Sequence, residues 1–133
     1  MIVADTNLLI YLYVQGQRTE ESEAVLRRDA IWAAPLLWRS EFRNVLIGLV
    51  RNDVLALNEA ISMVDEVERW LDGHEYSVIS RNVLTLAEQS GCSAYDCEFV
   101  ALAQDLRVPL VTADRHVLKA FPAVAISPSS FAS

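Results

Sequence analysis

Short unbroken apolar runs alternate along this chain with longer stretches in which apolar residues return every three or four positions. The first pattern marks strands buried on both faces, and the second marks amphipathic helices. Ile2, Val3 and Ala4 form the first run and predict a buried strand, after which residues 7–14, carrying Leu8, Leu9 and Leu12, read as a helix. Thr19 is placed as an N-cap, with Glu20 and Glu21 facing the positive end of a helix that runs to about Arg28. A second strand is predicted at residues 31–34, closed by Pro35. From Leu36 the series Leu37, Trp38, Phe42, Val45, Leu46, Leu49 and Val50 has helical period as far as about Arg51. Asn58 then caps a helix that carries Ile61, Val64, Val67 and Leu71 and stops at Gly73. Residues 76–79 predict a third strand, Ser80 caps a helix that Gly91 terminates, and Ser93 opens the next. A fourth strand at 109–112, a short helix at 115–120 and an edge strand at 124–126 complete the series.

Strands alternating with helices predict an α/β fold, its parallel sheet covered on both faces, and in such sheets sites gather beyond the strands' carboxyl ends. The 133 residues contain no internal repeat or low-complexity linker, so a single domain spanning 1–133 is expected. A hydrophobic share of 53% with only four Gly and four Pro excludes a disordered or loop-rich chain. No apolar run approaches the ~20 residues that span a bilayer, and the N-terminus lacks a signal peptide's basic flank and apolar stretch. A soluble cytoplasmic protein with no membrane contact is the expectation. Cys92 and Cys97 have neither CxxC spacing nor a nearby His pair, so both read as buried free thiols.

The candidate chemistry lies in four carboxylates. Asp5 follows the first strand and Asp114 the fourth, while Glu41 and Asp96 sit on or beside the apolar stripe of a helix. Each has a structural alternative except Glu41. Asp5 and Asp114 are placed to cap the helices that follow them, and Ser93 with Asp96 has the spacing of a capping box. Glu41 has Leu37, Trp38, Asn44 and Val45 as helical neighbours and Asp96 has Cys92, Ser93, Phe99 and Val100, so neither finds a basic partner on its own helix. Asp65 and Glu66, by contrast, precede Arg69 at ordinary solvated spacing. Converging unpaired carboxylates repel one another, and a divalent cation is the usual compensation; an all-oxygen set suits Mg²⁺ or Mn²⁺.

Thr6, Asn7 and Thr112 stand where they would hydrogen-bond these carboxylates or serve helix starts. Arg39 and Arg43 lie one turn apart, as a phosphate-binding ridge or a solvated face, and Arg115 with His116 follows Asp114 in the same two senses. A net charge of −7 argues against a surface that attracts nucleic acid everywhere. Ten of the eleven basic residues are nevertheless Arg, the better phosphate fork, so a nucleic-acid substrate stays open.

In four stretches, IVADTNLLI with Asp5, WRSEFRNVL with Glu41, SAYDCEFVALA with Asp96 and PLVTADRHVL with Asp114, the chain resembles the PIN domain. Within that family it is most similar to the VapC-type toxins of bacterial toxin–antitoxin pairs. The resemblance implies a three-layer α/β/α sandwich with a short parallel sheet, assembled as a homodimer. It also implies an Mg²⁺- or Mn²⁺-dependent endoribonuclease held inactive by a cognate VapB-like antitoxin, with Asp5, Glu41, Asp96 and Asp114 as catalytic metal ligands. Two rival readings are a phosphoacceptor signalling domain and a degenerate PIN domain that binds RNA without cutting it. The first wants paired acids after the first strand, an acceptor Asp after the third and a Lys after the last. Here Asp5 stands alone, Ser80 follows Ile79, and Lys119, the one lysine, lies in a short helix.

Overall fold

The computed structural model describes residues 1–133. Its elements run β1 (Ile2–Ala4), α1 (Thr6–Tyr13), α2 (Thr19–Arg28), β2 (Trp32–Pro35), α3 (Trp38–Arg51), α4 (Leu57–Trp70) and β3 (Glu75–Tyr76). After these come α5 (Ser80–Ser90), α6 (Ala94–Leu106), β4 (Leu110–Val111), α7 (Arg115–Ala120), β5 (Ala125–Ile126) and α8 (Pro128–Ala132). The sheet has the order β3-β2-β1-β4-β5, and every neighbouring pair is parallel. β1 is central because all three of its residues are buried, so it is fit to be covered on both faces. Its register sets Val3 against Ala33 on one side and Leu110 on the other.

The chain steps outward from β1 through β2 to β3, then crosses back to place β4 and β5 on β1's other side. The connections leaving β1 and β4 therefore diverge, opening a crevice at their carboxyl ends, the topological switch point of the sheet. α1 packs on α2 and α3, and α3 on α4, forming one layer. α6 pairs with α5 and lies across β1, β2 and β4. Right-handed crossovers put α1–α4 on one face and α5–α7 on the other, giving the three-layer sandwich, and α8 returns to pack on α2. No helix is long and apolar enough to cross a membrane.

One cluster of 23 buried apolar residues unites the sheet with both layers, and Trp32, Trp38, Phe42 and Phe99 are its largest members. Trp38 and Phe42 meet edge-on at 5.6 Å between ring centres, as do Phe42 and Tyr13 at 6.5 Å, which locks α3 against α1. Val83, Cys92, Cys97 and Ala101 form a separate small cluster between α5 and α6. Both cysteines are free and buried there, as the sequence predicts.

Several predicted boundaries shift for identifiable reasons. Thr19 is not the N-cap of α2; its hydroxyl accepts the Gly16 N–H at 3.0 Å and donates to the Val14 carbonyl at 3.3 Å, bracing the loop instead. α4 starts one residue before Asn58, with the Glu59 carboxylate accepting the Ala56 N–H at 2.9 Å. Ser80 opens α5 without a side-chain cap. β3 is Glu75–Tyr76 rather than 76–79, because the sheet pairing ends at Pro35 opposite Tyr76. The C-terminal α8, capped by Ser127 and packed on α2, was outside the apolar pattern altogether.

Candidate active site

Asp5 leaves the end of β1 and caps α1, with one carboxylate oxygen accepting the Thr6 N–H at 2.8 Å. The other oxygen accepts the Thr112 hydroxyl at 2.6 Å and the Asn7 side-chain amide at 3.4 Å. Thr112, fully buried just beyond β4, also accepts the Asp114 N–H at 3.0 Å. One hydroxyl thus fastens the carboxyl ends of two adjoining strands and holds both acids in place. Sequence reasoning placed Thr112 correctly beside the acids; its shorter bond goes to Asp5, not to the Asp114 backbone.

Glu41 stands in the first turn of α3, half-buried, and accepts the Thr6 hydroxyl at 2.7 Å. Asp96 stands in the first turn of α6. Ser93 accepts its N–H at 3.0 Å, but the Asp96 carboxylate makes no return bond, so only half of the capping box forms and the charge is left over. Asp114 does cap α7: one oxygen accepts the N–H groups of His116 at 2.8 Å and Val117 at 3.1 Å. Its second oxygen has no protein partner. The capping explanations for Asp5 and Asp114 are therefore true and incomplete, since each uses one oxygen of the carboxylate and leaves the other outside the cap.

All four acids, with Thr6 and Asn7, line one open cavity of about 300 Å³ at the switch point. No basic side chain lines it. Desolvation is the largest influence on Asp5, Glu41 and Asp96. It pushes Asp5 up to about 6, against the opposing hydrogen bonds of Thr112 and Thr6 and with the help of the Glu41 and Asp96 charges. Glu41 is raised by burial first, with its Thr6 bond opposing and Asp96 and Glu98 adding repulsion. Asp96 is raised by burial and then by Asp114, with Ser93 and His116 pulling the other way. The cluster is under tension from its own charge.

A hard divalent cation fits this donor set, which offers oxygen alone. No three of the carboxylates are already drawn together into a cage.

Other predicted residues fare differently. Arg39 is not part of a free phosphate-binding ridge: its guanidinium holds Glu75 through two bonds of 2.7 Å and reaches Glu68 at 3.1 Å. Arg43 is exposed, 4.0 Å from Glu68. Arg115 and His116 are exposed beside Asp114 at the start of α7. The cavity also has walls that the sequence does not mark as site residues: Ile10, and Tyr11 and Val45, which read there as core or interface positions. Helical spacing carried the signal, since Tyr11 is one turn beyond Asn7 and Val45 one turn beyond Glu41. Glu98, a further half-buried acid near Glu41, had no such signal.

Fold and site together define an α/β domain whose short parallel sheet carries an acidic, cation-seeking crevice at its switch point. The chain belongs to the PIN-domain family, whose model matches residues 2–124. It is 29% identical over 126 residues to Ribonuclease VapC3 of Pyrobaculum aerophilum, covering 92% of this chain and 96% of that protein. The crystal structure of PAE2754 from Pyrobaculum aerophilum superposes with a TM-score of 0.74 at 18% identity, over 98% of this chain and 85% of the other. A toxin-antitoxin complex from Klebsiella pneumoniae gives 0.65 at 20% identity, over 96% and 98%. At these identities the two structures bear on the fold, and they agree with the predicted three-layer sandwich.

Proposed function

We propose that this chain is a metal-dependent endoribonuclease of the VapC type, the toxin of a toxin–antitoxin pair, hydrolysing RNA phosphodiester bonds with Mg²⁺ or Mn²⁺. The observation that carries the reading is the convergence of Asp5, Glu41, Asp96 and Asp114 on one cavity that no basic side chain lines. The likeness to a protein named as a ribonuclease, over nearly the full length of both chains, supports it.

Asp5 and Asp96 would hold the ion directly, and Glu41 and Asp114 directly or through its waters. When bound, the ion supplies positive charge that acidifies a water and offsets the charge building on the phosphate. The chain's own residues do the positioning. Thr6 N–H, Asn7 and Thr112 fix both oxygens of Asp5, and the Thr6 hydroxyl fixes one oxygen of Glu41, leaving its other oxygen for the cavity. The Thr6 and Thr112 hydroxyls already donate to carboxylates, and in this reading water is the attacking group. The water gives up a proton to solvent as its oxygen bonds to phosphorus, the phosphorus–ribose oxygen bond breaks, and the departing oxygen takes a proton from solvent.

The partners in this reading are RNA in the cytoplasm, a VapB-like antitoxin and a second copy of the chain. The test is cleavage of an RNA panel with Mg²⁺ or Mn²⁺ and with EDTA, using wild type, Asp5→Asn and Asp96→Asn. Metal-dependent cleavage that both variants lose is the expected result; wild-type rates in the variants would overturn the assignment. Growth arrest on expression, relieved by the product of an adjoining reading frame, tests the toxin role. Sedimentation at about twice 14.9 kDa tests the dimer.

A further inference from the structure

The acidic cavity does not end at its carboxylates. Ile10, Tyr11 and Val45 are walls that it shares with a second cavity of about 270 Å³, which runs on between α1, α3 and the loop leading into α2. The second cavity has a different chemistry. Its far walls include Val14 and Leu49, its rim is the loop around Gly16, and Arg18 is its one charged side chain. The Arg18 guanidinium lies 4.8 Å above the centre of the Tyr11 ring and donates to the Tyr11 hydroxyl at 3.2 Å. Its other partner is Glu21 at 2.8 Å, in a pair whose arginine is 46% exposed. An ion pair so exposed is worth little and is readily exchanged for a stronger anion.

Acid cavity and apolar slot thus adjoin at Ile10, Tyr11 and Val45, with the Arg18 guanidinium at the slot's rim. A phosphodiester set against the carboxylates carries a nucleoside on each side, and on this side the continuation of the groove is apolar and aromatic. Base faces pack on such walls, and a guanidinium fork suits the next phosphate along the strand. We propose that this second cavity is a nucleobase subsite, taking the unpaired base next to the scissile phosphate against Tyr11 while Arg18 binds the following phosphate. The assignment rests on the nuclease reading above and names its substrate class: RNA in which the nucleotide flanking the cut is single-stranded or turned out of its helix. A base held in a duplex stack cannot enter a slot of this kind.

Two arms test it. In the first, wild-type protein and Mn²⁺ are given a single-stranded oligoribonucleotide whose cleavage position has been mapped. Analogues lacking the base at each nucleotide flanking the cut are compared with it, together with the same strand annealed to its complement. This arm leaves the protein unaltered, so no question of folding enters. Roughly tenfold or greater loss of kcat/KM is expected for one abasic position and for the duplex. In the second arm Tyr11→Ala and Arg18→Gln should raise KM more than they lower kcat, while Tyr11→Phe, which keeps the ring, restores most of the loss. Equal cleavage of every abasic analogue and of the duplex overturns the subsite and leaves the nuclease intact. Absence of metal-dependent cleavage by wild type overturns the nuclease reading itself. Variants that cleave RNA normally but loosen the grip of an inhibitory partner protein give the cavity to that partner, and likewise overturn the proposal.

Discussion

Helix α3 carries two charged residues two positions apart that end in opposite circumstances. Arg39 faces the sheet edge at β3, where the mostly buried Glu75 accepts two of its N–H groups and also the Trp38 indole N–H at 2.6 Å. That carboxyl is held below its ordinary value of 4.5, the Arg39 bond being the largest cause. Glu41 faces the switch point, where its companions are Asp5, Asp96 and Asp114, and burial and repulsion push it up instead. One cluster was built with its cation included and the other without. The first is a structural clamp, and the second gathers carboxylates with no basic partner, an arrangement that costs stability and is typical of functional sites.

Asp5→Asn and Asp96→Asn should give the largest effect, cutting RNA cleavage by roughly 10²–10⁴-fold while leaving the ion-free protein as stable as wild type or more so. A thermal melt in EDTA beside the cleavage assay measures both, and marked destabilisation would place the acids in the clamp's category. The complementary experiment is Glu75→Ala. It strands Arg39 and the Trp38 indole and should cost about 2–4 kcal/mol in urea unfolding, somewhat under the full cost of breaking a buried pair because Arg39 is one-third exposed. Next in size, Mg²⁺ should raise the melting temperature of wild type by several degrees, and of Asp5→Asn hardly at all. An equal shift in both would mean that the ion stabilises some other part of the molecule.

Acid should separate the two clusters as well. Because Glu75 is depressed when folded, its stabilising contribution is complete above about 4.5 and disappears as pH falls through the lowered folded value. The stability gap between wild type and Glu75→Gln should therefore be widest near neutral pH and narrow below about pH 4, as followed by urea midpoints. Smallest of all, Arg43→Ala should change stability by less than about 0.5 kcal/mol, since that side chain is 54% exposed and 4.0 Å from Glu68. A larger loss would show that the clamp extends beyond Arg39.

The acids were legible one at a time, because a carboxylate with no basic residue a helical turn away is visible in the sequence at Glu41 and Asp96. The clamp was not. Glu75 lies 36 residues from Arg39, and nothing local distinguishes that arginine from Arg43, which shares its helix face. The strands followed from unbroken apolar runs such as Ile2 to Ala4, whereas β3 was displaced because its limits are set by pairing with Pro35 rather than by its own residues. Caps were misread at Thr19 and Ser80 for a related reason. A hydroxyl at a helix start advertises a bond without naming which partner takes it. Tyr11 and Val45 escaped because apolar residues on a helix read as core until something polar is seen beside them.

The Thr112 hydroxyl joins Asp5 to the backbone of Asp114, residues at nearly opposite ends of the reading order. Asp5 and Thr112 lie 107 positions apart, and β1 can complete its pairing only when β4 has been made. Contacts so distant along the chain form late and slowly. The full set of acids therefore comes together only once the sheet has closed around its central strand, so the site depends on the pairing that is most distant along the chain.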